Sequence, residues 1–504
     1  MGAVWVSLVG RTAFPATYYV DSETGDDRWD GSARQAQNSA QGPWQHLPGT
    51  TGPMGTGWKV LADGDRVIVK GGTLNPVSVG IGSDFFRGQP KFGSIVILGG
   101  QLAEPKWGEG RPIFDGQGRR TFGFWVGAGG KAVTGVTLDG LEVRNIQAGG
   151  VGDGFDPRNG SSCMVLGGNG GCSFITVRRC HLHDAARDAE DRGHGIETGH
   201  ADHLLVELNT IGPGIGTKGI ELDRSDFCTA RGNYVYNTGD HGIVVVGNNC
   251  DINDNVVEML PPFVHDPVYA LKVYGNRNDV WNNILFQREQ PVPTPLTARA
   301  QGFGFFTGAG NRLYHNTIYH FANSPNGREF GTGIAVGCER KAVQDVEVQN
   351  NLVYGCRNAN GTVQLFLGPA ATRVTVRYNA FGHDQSDQVV DLGQGKVLYR
   401  VDQLATLPLP NGIAMERNTG AVPHWRAGAF PERQAPEAPG TGAAWGLGYF
   451  ALTAQTPSEI RATGNQLTGR ADQGCNPDPE KYRRDILGVA RKAWSMGALE
   501  AGGD

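Results

Sequence analysis

One short phrase recurs along the chain and changes only where chemistry could sit. It reads HGIETG from His194, KGIELDR from Lys218 and HGIVVVG from His241, with a looser copy, ALKVYG, from Ala270. The apolar letters persist while the charged ones come and go. Glu197 follows the first Gly-Ile pair, Glu221 and Asp223 the second, Val244 and Val246 the third, and Lys272 and Tyr274 close the set. His194, Lys218 and His241 stand just before the glycines, and Asp240 adjoins His241. Two carboxyl groups held a few ångströms apart suit glycoside hydrolysis, one protonating the leaving oxygen while the other acts as base or nucleophile. The basic residues suit β-elimination from a uronate, which needs a base for the C5 proton, a donor to the leaving oxygen and a positive charge on the carboxylate. In that reading Lys272 or Lys218 is the base, Tyr274 or His241 the donor, and Glu197, Glu221 and Asp223 hold a calcium ion through oxygen.

Both chemistries need these side chains on one face, so the backbone must supply the spacing. Asn209, Asn233, Asn255, Asn283, Asn316, Asn351 and Asn379 serve as anchors. Three residues before each stand Val206, Ala230, Ile252, Val280, Leu313, Val348 and Val376; two residues after stand Ile211, Val235, Val257, Leu285, Ile318, Val353 and Phe381. Cys180 and Leu141 fit as earlier anchors. The intervals from Leu141 onward are 39, 29, 24, 22, 28, 33, 35 and 28 residues. A minimum near 22 with β-branched residues at period two excludes a helical repeat and gives about three short strands per unit. Such units bury their apolar faces only by stacking. The expectation is an all-β fold, a right-handed parallel β-helix forming a single-stranded solenoid of roughly nine to eleven coils, with an N-terminal cap and a C-terminal extension. The asparagines are structural in this reading, bending the chain and bonding from coil to coil.

Stacked coils give the charged slots a geometry. Glu197 and Glu221 occupy equivalent places, ~4.8 Å apart at the backbone, Glu221 and Asp223 are ~6.5 Å apart along one strand, and the Glu197–Asp223 diagonal is ~8 Å. The last two fall near the ~6.5–9.5 Å window of inverting glycosidases. Glu221 and Asp223 are therefore assigned as acid and base, with Glu197 assisting or exchanging roles. His194, Lys218, Tyr274 and Asp240 line the same face, and Asp188 and Asp191 overhang it from the loop HDAARDAEDRGH, all as substrate-binding residues. Loops near 146–162, 183–194, 258–269, 286–303 and 320–332 would flank the tight coils of 195–257 and make a trough. Trp125, Trp281 and Phe306 are either sugar platforms or coil-edge packing.

The two ends add a resemblance. YYVDSETGDDRWDG, GPWQHLPG and LADGDRVIVKGGT near the start resemble the opening segment of secreted parallel β-helix, pectate-lyase-like polysaccharide-degrading proteins, and GCNPDPEKYRRDILGVARKAWSMGALE is similar to their C-terminal element. The resemblance implies the solenoid, a polysaccharide or oligosaccharide substrate and a secreted or periplasmic location, and it implies no single family. The aspartate constellation of the polygalacturonases and the Asn-Lys-Ser signature of the chondroitinase-B and alginate-lyase group are both missing. The Glu-x-Asp spacing at Glu221 is similar to that of the iota-carrageenase type.

Composition fits this frame. The 77 glycines among 504 residues follow no collagen period and point to tight turns. A net charge of −5 with no basic run gives no reason to expect nucleic acid. No apolar stretch reaches the ~18 residues of a membrane span. The eight cysteines form no CxxC pair; they suit buried thiols, with Cys163–Cys172 and Cys338–Cys356 as possible loop disulfides. The expected layout is a signal remnant at 1–16, a cap and first coils at 17–130, the β-helix core at 131–400 and an extension packing on it at 401–504. Glycoside hydrolysis, which needs no cofactor, is the first functional reading. A lyase with calcium is the second, and a non-catalytic carbohydrate-binding or adhesion β-helix the third.

Overall fold

The structure is a computed structural model. It describes residues 15–423, apart from 51–60, 83–94, 129–131, 148–160, 186–192, 261–267, 288–299, 322–330, 339–340, 358–360 and 394–396, together with Gln455. One coil shows the plan. Ile220–Leu222 lies in a front sheet, Thr229–Arg231 in a back sheet and Tyr234–Tyr236 in a short sheet, and the chain returns to the front sheet at Ile243–Val245. Repeated along the chain, this gives sheets of 13, 14 and 11 strands among the described residues, with the strands of successive coils paired in parallel. The fold is a parallel β-helix, and the 11 rungs of the short sheet match the upper end of the expected coil number. One antiparallel pair, Gln388–Asp391 with Leu398–Arg400, ends the front sheet and covers its edge.

The interior is a set of aligned apolar columns. In the front sheet Ile196, Ile220, Ile243, Leu271, Phe303, Ile334 and Leu365 are register partners in successive rungs, and each is fully buried. Each such side chain contributes about 1.5–3 kcal/mol by leaving water. The glycine before it has a steric cause. A Cβ on Gly195, Gly219, Gly242, Gly302 or Gly333 would come within 2.2–2.5 Å of Ile211, Val235, Val257, Ile318 or Val353 of the short sheet. Ala270 takes this slot in the coil whose corresponding residue is Leu285, which has no branch at Cβ. The pair in the coil after Ala270 is Gly302-Phe303, because Leu271 faces Phe303; Gly304-Phe305 lies two residues further on.

The asparagine column is a buried hydrogen-bond ladder. Nδ2 of Asn209, Asn233, Asn255, Asn283, Asn316, Asn351 and Asn379 each donates to Oδ1 of the next asparagine at 2.9–3.0 Å, and the ladder runs on to Asn418. The same oxygens accept backbone N–H groups, so every rung satisfies the bend below it. The left-handed conformation falls one residue before each ladder asparagine, at Leu208, Gly232, Asp254, Asn282, His315, Asn350, Tyr378 and Arg417, with φ from 52° to 61°. The ladder residue itself is not in that conformation.

At the start, Tyr18 of the strand Thr17–Val20 stacks on Trp44 at 4.7 Å, and Trp44 Nε1 donates to the Trp29 carbonyl at 3.0 Å. The opening motif therefore caps the first rung. Cys163, Cys172 and Cys356 are free thiols, so neither possible disulfide forms. The C-terminal element and Cys475 lie outside the described residues. On the outer face of the back sheet, Asp139, Arg178, Glu207 and Arg231 follow one another in register. Arg178 Nε is 2.8 Å from Asp139, Arg179 also pairs with Asp139, and Arg231 Nε is 2.9 Å from Glu207.

Candidate active site on the front sheet

The front sheet carries the charged slots on its outer face. Rung by rung, one slot reads Trp125, Val165, Glu197, Glu221, Val244, Lys272, Gly304. Glu197 and Glu221 are direct register partners, as expected from the repeat. Their side chains keep 25% and 14% of their exposure, so both reach solvent from a partly enclosed position.

Lys218 and His194 both reach Glu221. Lys218 Nζ lies 2.5 Å from its Oε1, and His194 Nε2 lies 3.2 Å from its Oε2. Burial pushes the carboxyl upward, but the His194 and Lys218 contacts outweigh it and bring the pKa down to about 2. Glu221 is thus a carboxylate at neutral pH. This corrects the assignment of Glu221 as an acid. Glu197 accepts from Ser162 Oγ at 2.6 Å and stands 3.8 Å from His194 Nδ1, so His194 sits between the two glutamates. Ser162 is the register partner of His194 in the preceding rung. The repeat pattern missed it because Cys163-Met164 stands there in place of Gly-Ile, after a long insertion.

Asp223 has partners of its own. The strand ends at Leu222, the Asp223 carboxylate lies 3.3 Å from Arg224 Nε, and its backbone N–H donates to Thr198 Oγ1 at 2.9 Å. Glu197, Glu221 and Asp223 do not fit a calcium site in this arrangement. Oε1 of Glu221 is taken by Lys218 and Oε2 faces His194, while Asp223 pairs with Arg224.

A second cluster spans the next two rungs. Lys272 is 7% exposed, and its Nζ sits over the rings of Phe306 at 4.4 Å, Tyr269 at 4.8 Å and Tyr274 at 5.0 Å. Lys272 Nζ is 3.5 Å from His241 Nε2, and His241 Nδ1 is 2.8 Å from Asp240 Oδ1. Burial lowers the His241 pKa; Asp240 opposes this, and Lys272 and Lys218 reinforce it, so the imidazole is neutral. The Tyr269 backbone N–H also points at His241 Nδ1, at 3.2 Å. One nitrogen cannot donate to Asp240 and accept from Tyr269 at once, so either tautomer leaves one partner unmatched. Lys272 and His241 were expected on an open face. Both are buried, Lys272 because aromatic side chains from its own and the next rung close over it.

The other sequence candidates divide by location. Phe306 is fully buried, and Trp281 lies on the back sheet with Nε1 2.6 Å from Asp251, so neither is a sugar platform on this face. Trp125 shares the outward slot two rungs from Glu197 and is half-buried. Asp188 and Asp191, and most of the loops expected to form the trough, lie outside the described residues.

No protein-family model matches this chain, and no curated protein does. Solved structures with a related course include a GH136 lacto-N-biosidase from Eubacterium ramulus, at 12% identity and TM-score 0.46, covering 80% of this chain and 67% of that one. Pectate lyase Pel9A aligns at 13% identity and TM-score 0.45 over 97% of both chains. The Dettilon tailspike protein aligns at 15% identity and TM-score 0.44, over 66% of this chain and 59% of its own.

Proposed function

We propose that this protein is a carbohydrate-cleaving enzyme, secreted or periplasmic, that hydrolyses a glycosidic bond lying across the front sheet. The observation that carries this reading is the register pairing of Glu197 with Glu221 on a solvent-facing slot. Adjacent rungs separate the two backbones by ~4.8 Å. That is close to the ~5–5.5 Å between carboxyl groups in retaining glycosidases. Glu221, held as a carboxylate by Lys218 and His194, is the nucleophile; Glu197 is the proton donor and later the base that activates water. His194 touches both and keeps them in place. The pairing replaces the Glu221–Asp223 pair expected from spacing along one strand, and with it the inverting outcome.

A second reading has its own observation. Lys272, His241 and Asp240 form a buried chain of contacts one to two rungs away, which suits proton abstraction in a lyase acting on an acidic polysaccharide. One assay separates the readings. A panel of neutral and uronate-containing polysaccharides is digested, and reducing ends are recorded beside the ultraviolet absorbance of unsaturated uronates. Reducing ends without new absorbance support hydrolysis, and a β-anomer substrate then gives the β-product first by NMR. New absorbance transfers the function to the lyase reading. Neither signal, with retained binding to a sugar array, leaves a carbohydrate-binding β-helix.

A further inference from the structure

A separate group of side chains lies on the short sheet. Glu142 of the strand Glu142–Ile146 is the register partner of His181 in the strand His181–Leu182. His183, two residues after His181, falls on the same side, and the two imidazoles stack at 4.2 Å with 26° between their planes. One donor atom from each of Glu142, His181 and His183 lies within 4.8 Å of the other two.

Hydrogen bonds fix which ring nitrogens are available. His183 Nδ1 is 2.7 Å from the Asp184 carboxylate, and His181 Nε2 is 3.2 Å from the Gly212 carbonyl. Both partners are acceptors, so these two nitrogens carry the protons of the neutral rings. The lone pairs are left on His183 Nε2 and His181 Nδ1. With the ring neutral, His183 Nε2 meets Glu142 Oε1 at 3.4 Å as an acceptor facing an acceptor, a contact satisfied either by a second ring proton or by a metal ion held between the two. Carboxylate and carbonyl partners behind the imidazoles are the usual second layer of a metal site, holding tautomer and ring orientation.

We propose that Glu142, His181 and His183 bind one divalent transition-metal ion of the zinc class. Two imidazoles and a carboxylate are a donor set such ions accept, with a further position open to water or a ligand. Arg144 Nη1 lies 3.1 Å from the same Glu142 oxygen and marks the competing state, in which the guanidinium neutralises the carboxylate and a proton occupies His183.

The test uses the full chain freed of metal by chelation. Zn²⁺ is titrated calorimetrically, and Co²⁺ binding is followed by its visible absorption bands. The expected result is one ion per chain. Binding is lost in the His181→Ala/His183→Ala double variant, and Glu142→Gln weakens it at least about tenfold. Asp184→Asn, which leaves all three ligands in place, weakens it by about 10–100-fold. Far-UV circular dichroism establishes that each variant is folded, and His183→Gln replaces any that is not. Absence of saturable binding overturns the proposal. So does binding unchanged in the double variant, or binding that arises only after Arg144→Ala.

Discussion

Two faces of this solenoid carry ionised side chains in opposite order. On the back sheet, four successive rungs place Asp139, Arg178, Glu207 and Arg231 in one column, each charge opposite in sign to the last. On the front sheet the corresponding column runs Val165, Glu197, Glu221, Val244, placing like charges in register. Alternation satisfies itself, because each residue meets its partner in the next rung. A pair of like charges does not, and His194 and Lys218 are drawn in from a neighbouring slot to hold it. The back column is explained by stability alone. The front column is not, and this asymmetry supports the proposal that it is the face kept for chemistry.

The comparison can be broken by exchanging the consequences of mutation. Glu221→Gln is expected to lower turnover by about a thousandfold, roughly 4 kcal/mol in the barrier, while the far-UV spectrum is retained. Normal activity in that variant, measured by reducing-end release, removes the site.

The same variant sharpens the electrostatic side. Folding lowers the Glu221 pKa from its ordinary value of 4.5 to about 2, so its contribution to stability is fully present above pH 4.5 and is lost as pH falls through about 2. That contribution is of the order of 3 kcal/mol. The stability gap between the protein and Glu221→Gln, from urea unfolding, should be widest near neutrality and should close toward pH 2. A gap independent of pH would mean that Lys218 and His194 do not stabilise the ionised form.

Changes on the back sheet should do the reverse. Asp139→Ala leaves Arg178 and Arg179 without their shared, fully buried carboxylate. It is expected to cost about 2–3 kcal/mol of stability, less than a wholly buried pair because both arginines can turn to solvent. Turnover per folded molecule should stay the same; a large loss of turnover would erase the distinction between the faces. Arg231→Ala, which removes a pair whose arginine side chain is 51% exposed, should cost less than about 1 kcal/mol in the same unfolding assay.

The fold was legible because it is written many times over. Apolar residues at fixed offsets from each asparagine gave the three-strand coil, and the Glu197–Glu221 register followed from the same repeat. What the repeat could not show were the features that occur once. Ser162 stands in a rung that lacks the Gly-Ile phrase. Gly304-Phe305 imitates that phrase two residues out of place. Strand spacing put Asp223 beside Glu221, but the strand stops at Leu222 and Arg224 takes the aspartate. The ionisation of Glu221 depends on His194 from the previous rung, a contact across 27 positions that is visible only once the coils are stacked. Glu142 and the histidines 181 and 183 met no pattern at all, because they lie in separate coils on another sheet.

The parallel register of Glu197 with Glu221 has a consequence for how such a molecule diversifies. Their separation is set by the rise between rungs, whatever length of chain makes the turn, as the unequal intervals between anchors along the solenoid illustrate. A connecting segment can grow, shrink or be replaced outright while the reacting groups keep their spacing. The scaffold therefore lets substrate preference evolve in the loops without renegotiating the distance on which bond cleavage depends.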